Sequence, residues 1–211
     1  MMRAGSLILG LLVLAAVWFG PLPQLARQAF FAHMAMHMGV VAIAAPLIAL
    51  GISSSVFDPV RKWPGLFPPI PLSLLELVVV WAWHTPALHH LARHGAAGLA
   101  VEQAAFLLSG LLVWLSVFGG ALAQRHERAA TGIAALLLTS MHMTLLGALL
   151  SLTPRPLYQH AGDFGSLTPL EDQHLGGAIM LIVGGFSYLA GGLWLTAALV
   201  RSTMQSQGKM A

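Results

Sequence analysis

Six stretches of this sequence stay apolar for about the 20 residues that a helix needs to cross a bilayer. They are residues 5–20, 28–50, 71–91, 98–120, 129–152 and 170–200. Runs of that length leave few folds open. In hydrocarbon no water satisfies the backbone, so a spanning segment is either a helix or a strand of a closed barrel. None of the six alternates with period two, as a barrel strand does. The expectation is an all-α, polytopic bundle of six transmembrane helices, forming a single transmembrane domain over residues 1–211. Composition agrees, with 57% of residues hydrophobic and only 8% charged, against about a quarter charged in soluble domains. Such a chain cannot clothe a water-facing surface, so membrane lipid is its first partner. The net charge of +3 comes from Lys and Arg scattered singly or in pairs. Without a basic stripe, nucleic-acid binding is excluded as a function class.

The basic residues set the expected orientation. With the N-terminus inside, the inner segments hold Arg3, Arg61, Lys62, Arg125, Arg128, Arg201 and Lys209, and the outer ones hold Arg27, Arg93 and Arg155. That asymmetry predicts both termini in the cytoplasm. Trp18, Trp81 and Trp83 then fall near outer ends, with Trp114 and Trp194 near inner ends, as an interfacial belt would place them. The first span lacks an A-x-A cleavage pattern, and Pro21 and Pro23 crowd the candidate sites, so it reads as a retained helix rather than a signal peptide. Span 3 stops at Thr85-Pro86, because proline disfavours helix in the residue before it and then starts a new one well. PALHHLARH therefore reads as a short helix on the outer surface. Before span 6, Thr168, Pro169 and Glu171 spell a capping box, which puts Asp172 and His174 at the outer rim. Gly177, Gly184 and Gly191 recur every seven residues in span 6 and let another helix approach. Packing within the bundle is the favoured reading, and a homodimer face the other.

On this topology nine of the ten histidines fall on, or in, the outer half. His33 and His37 sit in the AHMAMHM run of span 2, His84 ends span 3, and His89, His90 and His94 follow it. His142 lies mid-way along span 5, His160 is in the outer loop, and His174 opens span 6. Only His126 faces the cytoplasm. His33 and His37 are i and i+4, so they share a helix face, and Met36 at i+3 joins them. Met34 and Met38 form a neighbouring stripe. Met141-His142-Met143 repeats the MHM of residues 36–38. With no cysteine in the chain, disulfides, thiolate sites and C-x-x-C-H haem attachment are all excluded. What remains is imidazole and thioether, a donor set that suits copper, with thioether favouring Cu(I).

Each residue also has a plainer reading. A membrane histidine often only hydrogen-bonds a neighbouring helix, and methionine fills gaps in cores. For His33 and His37, with His84 and His174 at the same level, function is favoured, because ionisable groups inside a membrane are functional by default. For His142 alone the two readings balance. His89, His90, His94 and His160 read as surface residues, and His126 as an ordinary one. Glu102, near the outer end of span 4, fits an acceptor that orients an imidazole. Glu76, one turn from the inner interface, reads as reaching water. Asp163, Glu171 and Asp172 read as helix caps and solvated charges.

The run AHMAMHMGVVAIAAPLIALG, the segment WAWHTPALHH and the late LTPLEDQHLGGAIM, in that order, resemble the signature stretches of the CtaG family. These are polytopic cytochrome c oxidase assembly factors of bacteria. The resemblance covers residues 25–195 or so. An unrelated single-span copper chaperone shares the family name but uses cysteines, so only the polytopic kind fits. The resemblance implies a multi-pass protein of the bacterial inner membrane that matures haem–copper oxidase, at a copper-loading step. Its partners would be oxidase subunits and periplasmic copper chaperones. The family's motif histidines fall on His33, His37, His84 and His174, with His142, Met141 and Met143 matching less closely.

The leading expectation is thus an assembly factor rather than an enzyme, holding Cu(I) among His33, His37, Met36, His84, His142 and His174. Two other classes stand beside it. One is a b-type haem protein with axial histidines from span 2 and span 5 or 6. The other is a copper transporter, against which the donors thin out below His37 and His142. A hydrolase or redox enzyme ranks last, since H-E-x-x-H and nucleophile motifs are missing.

Overall fold

The structure is a computed structural model and describes residues 2–120, 125–158 and 167–207. His160 and Asp163 lie outside the described residues. Among these residues the secondary structure is helical. α1 covers Met2–Phe19, α2 Phe30–Ile52, α3 Pro69–Trp83, α4 Pro86–Arg93, α5 Ala96–Phe118, α6 Arg125–Leu152 and α7 residues 169–207. The protein is a membrane protein, and the outside of the bundle shows it. Phe19, Phe186, Val78, Leu108 and Leu193 are among many large apolar side chains left exposed. A water-facing surface does not carry apolar area on that scale.

The expected count of six full spans is not reached. α2, α5, α6 and α7 are each long and apolar enough to cross, which makes four. α3 and α4 pass only as a pair, and they are bent by 72° across His84 and Thr85. Counting that pair as one broken span gives five. α1 falls short of the required length. Proline explains both departures, with Pro21 just beyond the end of α1 and Pro86 turning the chain after α3.

α2 runs through the middle of the bundle, against α1 on one side and α5 and α7 on the others, while α6 packs on α3 and α7. α4 folds back onto α5. Two helices widen part-way along. α2 is a π-helix over Gly39–Ala44 and α7 over Met180–Gly184. A π turn breaks the regular i to i−4 ladder and leaves carbonyls for other donors. Trp114 Nε1 donates to Val41 O (3.0 Å) and Ser187 Oγ to Ala42 O (2.6 Å). Trp114 is thus a core residue, 1% exposed and stacked on Tyr188, rather than part of an interfacial belt.

Close helix approach rests on glycine. A Cβ at Gly177 would sit 2.7 Å from Ser151 N, and one at Gly147 2.7 Å from Leu181 N. Gly184 faces Met143 and Met38, and Gly191 faces Trp114. The seven-residue glycine series of span 6 therefore packs inside the bundle.

The end of the bundle away from the histidines is tied by Asp58. Its Oδ1 accepts from Val60 N (3.0 Å), and its Oδ2 from Ser54 N (2.7 Å) and Gly120 N (2.9 Å). Glu76 is not at a water interface. It is fully buried mid-bundle, where Tyr188 Oη donates to its Oε1 at 2.6 Å. Ser73 and Thr139 share a hydrogen bond of 2.7 Å in the same half.

Candidate metal centre

The site begins with the start of α2. Ala29, the residue before its first turn, offers no side-chain cap. Asp172 of α7 supplies one from across the bundle, accepting from Phe30 N (2.7 Å) and Phe31 N (2.8 Å). A carboxylate suits this end of a helix, where free N–H groups and the positive end of the dipole meet. Asp172 is therefore buried and capping a neighbouring helix, not solvated at the rim. Its own helix is started by the capping box. Thr168 Oγ1 accepts from Glu171 N (3.3 Å), and Glu171 Oε2 accepts from Thr168 N (2.8 Å).

One turn into α2, His33 and His37 turn the same face inward, both fully buried, with near-parallel rings 6.4 Å apart. His84, at the end of α3, meets both, with ring centres 5.5 Å from His33 and 5.2 Å from His37. Its orientation is set twice. Its Nδ1 donates to Val80 O (2.6 Å), and Tyr158 Oη donates to the His84 carbonyl (2.5 Å). With the proton on Nδ1, the Nε2 lone pair faces the cluster. A backbone carbonyl holding the far nitrogen in this way is the usual support of a metal-binding histidine. Burial pushes the Tyr158 phenol above its ordinary range, so it stays a donor. His142 is buried on α6.

A second group adjoins these four. Arg93, the last residue of α4, donates through Nη2 to His33 Nδ1 (2.6 Å) and to both Glu102 oxygens (2.9 Å each). Glu102 Oε2 lies 3.7 Å from His33 Nδ1. His89 stands with its ring 4.8 Å from that of His33, edge-on. One ligand atom from each of His33, His89 and Glu102 fits within a 4.8 Å group. Phe106 closes the apolar side, with its ring 4.0 Å from His37.

The ring nitrogens are unusual in what they lack. His33 Nε2, both nitrogens of His37, His84 Nε2 and both nitrogens of His142 are buried without a hydrogen-bond partner among the described residues. Leaving a buried polar atom unpaired costs about 1–3 kcal/mol, so native structures keep few of them. Several in one pocket mark a place where the fold gives up stability. The chemistry on offer is a nest of neutral nitrogen donors, a set that binds copper and zinc.

Other residues singled out from the sequence lie elsewhere. His174 is half-buried, and its Nε2 donates to Thr153 O (2.9 Å), which ties the start of α7 to the end of α6. Met34 packs beside Gly176, and Met38 and Met143 beside Gly184. These three are fully or almost fully buried and fill the α2–α6–α7 seam. Met36 is buried too, while Met141 is 66% exposed on the outside of the bundle.

Two residues of the cluster escape a sequence reading. His89 is a buried member of the group rather than a surface residue, and Arg93 is its cation. The signal that finds them is the inward face of α4, where His89, Ala92 and Arg93 stand at i, i+3 and i+4.

A family model described as cytochrome c oxidase caa3 assembly factor (Caa3_CtaG) matches residues 1–202. Neither a curated protein nor a solved structure matches the chain. The match spans nearly all of the 211 residues, so the chain belongs to the caa3-type cytochrome c oxidase assembly factor family.

Proposed function

We propose that this member of the oxidase assembly family is a copper carrier. In this reading it holds Cu(I) transiently among His33, His37, His84 and His142 and passes it to a subunit of cytochrome c oxidase. The carrying observation is the set of buried ring nitrogens without partners at one level of the bundle. A cation there would take up donors that the fold otherwise leaves unpaired. The basic-residue asymmetry supports a cluster on the outer side of the bacterial cytoplasmic membrane, where periplasmic copper chaperones would deliver the cargo. The family's assembly role supports a non-catalytic protein.

Neither alternative is favoured by the packing. A haem macrocycle would need the space that Phe106 fills against His37. A copper path across the bilayer would need soft donors beyond His142. Glu76, Tyr188, Ser73 and Thr139 offer only hard oxygens there, which suit Cu(I) poorly.

The test is made in cells. Replacing both His33 and His37 by Ala should lower oxidase activity and oxidase copper content while the protein still accumulates, since alanine favours helix and suits lipid. Excess copper in the medium should restore part of the loss by mass action. Met141→Ala is the control and should change neither readout. Full oxidase activity of the double variant at limiting copper would refute the carrier role. The family's assembly function would then rest on protein contacts instead.

A further inference from the structure

We propose that Arg93 is a built-in placeholder for a monovalent cation, its guanidinium standing where a cation held by His33, His89 and Glu102 would sit and leaving when that cation arrives. The inference rests on the carrier reading and adds its charge selectivity and its means of release. The atoms coincide. Arg93 Nη2 bonds both oxygens of Glu102 and Nδ1 of His33. These belong to two of the three residues whose ligand atoms converge within 4.8 Å. A guanidinium and a metal ion cannot both use the His33 Nδ1 lone pair.

Charge sets the class of cation. Glu102 carries the one negative charge of this buried group, and Arg93 cancels it. Exchanging the guanidinium for a +1 ion leaves the group neutral. Exchanging it for a +2 ion leaves a positive charge where Glu102 and His33 are fully buried, and a buried uncompensated charge is strongly disfavoured. Imidazole donors then narrow the monovalent class to soft cations, Cu(I) and Ag(I), rather than sodium or potassium.

The hold on Arg93 is also releasable. Among the described residues only Nη2 makes hydrogen bonds, while Nε and Nη1 are buried without partners. The residue ends α4, with its side chain 9% exposed. α4 hangs from α3 by the 72° bend across His84 and Thr85. Withdrawal toward the rim breaks the bonds of one nitrogen and needs no change within a spanning helix. The return of Arg93 lowers affinity once the cargo has a better acceptor. Apparent affinity is the intrinsic affinity scaled by the fraction of molecules with Arg93 withdrawn.

The experiment is an equilibrium titration of the purified full-length protein in detergent, without oxygen. Cu(I) and Ag(I) serve as monovalent probes and Zn(II) as the divalent one, each against a chromophoric competitor. Arg93→Leu removes the charge and, unlike methionine, adds no thioether that would itself bind Cu(I). It should bind Cu(I) and Ag(I) at least about tenfold more tightly than the unaltered protein, as expected if Arg93 is withdrawn in no more than about a tenth of molecules. Zn(II) should gain by the same factor, because every ion needs the withdrawn form, and should remain the weakest binder of the three. Glu102→Gln should weaken all three. Arg93→Lys retains the charge without the planar fork and should fall between Arg93→Leu and the unaltered protein, which keeps the test decisive if Arg93→Leu fails to fold. Equal or weaker monovalent binding by the folded Arg93 variants, with the unaltered protein still binding Cu(I), would overturn the placeholder and leave the carrier reading standing. Zn(II) binding as tightly as Cu(I) and Ag(I) would overturn the charge matching. Failure of every form, the unaltered protein included, to bind Cu(I) or Ag(I) would overturn the inference and the carrier reading together.

Discussion

Asp58 and His37 are both polar side chains buried in an apolar bundle, one at each end, and they are treated in opposite ways. Asp58 accepts three backbone N–H bonds and uses both oxygens. His37 has neither ring nitrogen bonded among the described residues. The first arrangement is how a fold ties loops together, because each bond spares a backbone donor that would otherwise be stranded. The second spends stability and returns none within the protein. Partnership, more than polarity or burial, is what separates Asp58 from His37.

The largest effect should come from breaking the tied end. Asp58→Ala strands three backbone donors at about 1–3 kcal/mol each. It should abolish accumulation in membranes, or lower the unfolding temperature far below that of any histidine variant. His37→Ala/His84→Ala should accumulate as the unaltered protein does and unfold at the same or a higher temperature. If the histidine pair destabilises as much as Asp58→Ala, the contrast between the two ends is wrong.

Within the histidine end the donors should rank. His37→Ala and His84→Ala should weaken Cu(I) binding by more than the roughly 10–100-fold typical of losing an outer partner of a metal ligand. His174→Ala should change it little, because that ring is engaged with Thr153. A His174 effect as large as that of His84 would redraw the site. Tyr158→Phe should act more gently, costing about 1 kcal/mol of stability through the lost bond to the His84 carbonyl. Its imprint on Cu(I) affinity should be small, read in the same titration.

Sidedness sharpens the comparison further. Reporter fusions after residue 125 should read cytoplasmic, and fusions after residue 160 periplasmic. The reverse would place the unpartnered histidines inside and deny them a periplasmic supply of copper.

How far these features are visible in the sequence differs by region. Apolar length marks where helices run, because the backbone in hydrocarbon has no alternative. It does not show that the first helix stops short or that the third bends by 72°. The common face of His33 and His37 follows from helix geometry alone, and the level of His84 follows from hydropathy. His89 and Arg93 are another matter. On a short amphipathic helix they look solvated, and only its fold back onto α5 turns them inward. Glu76 and Trp114 are hidden for a related reason. Each takes its partner, Tyr188 and the Val41 carbonyl, from a helix distant in sequence, and the latter carbonyl lies in a π turn that no periodicity announces.

The most direct test of the carrier account is X-ray absorption at the copper edge on the purified protein loaded anaerobically with Cu(I), beside its His37→Ala/His84→Ala variant. The account predicts copper bound with nitrogen neighbours dominating the first shell, and no specifically bound copper in the variant. A shell dominated by sulfur, or copper retained undiminished without His37 and His84, would contradict it.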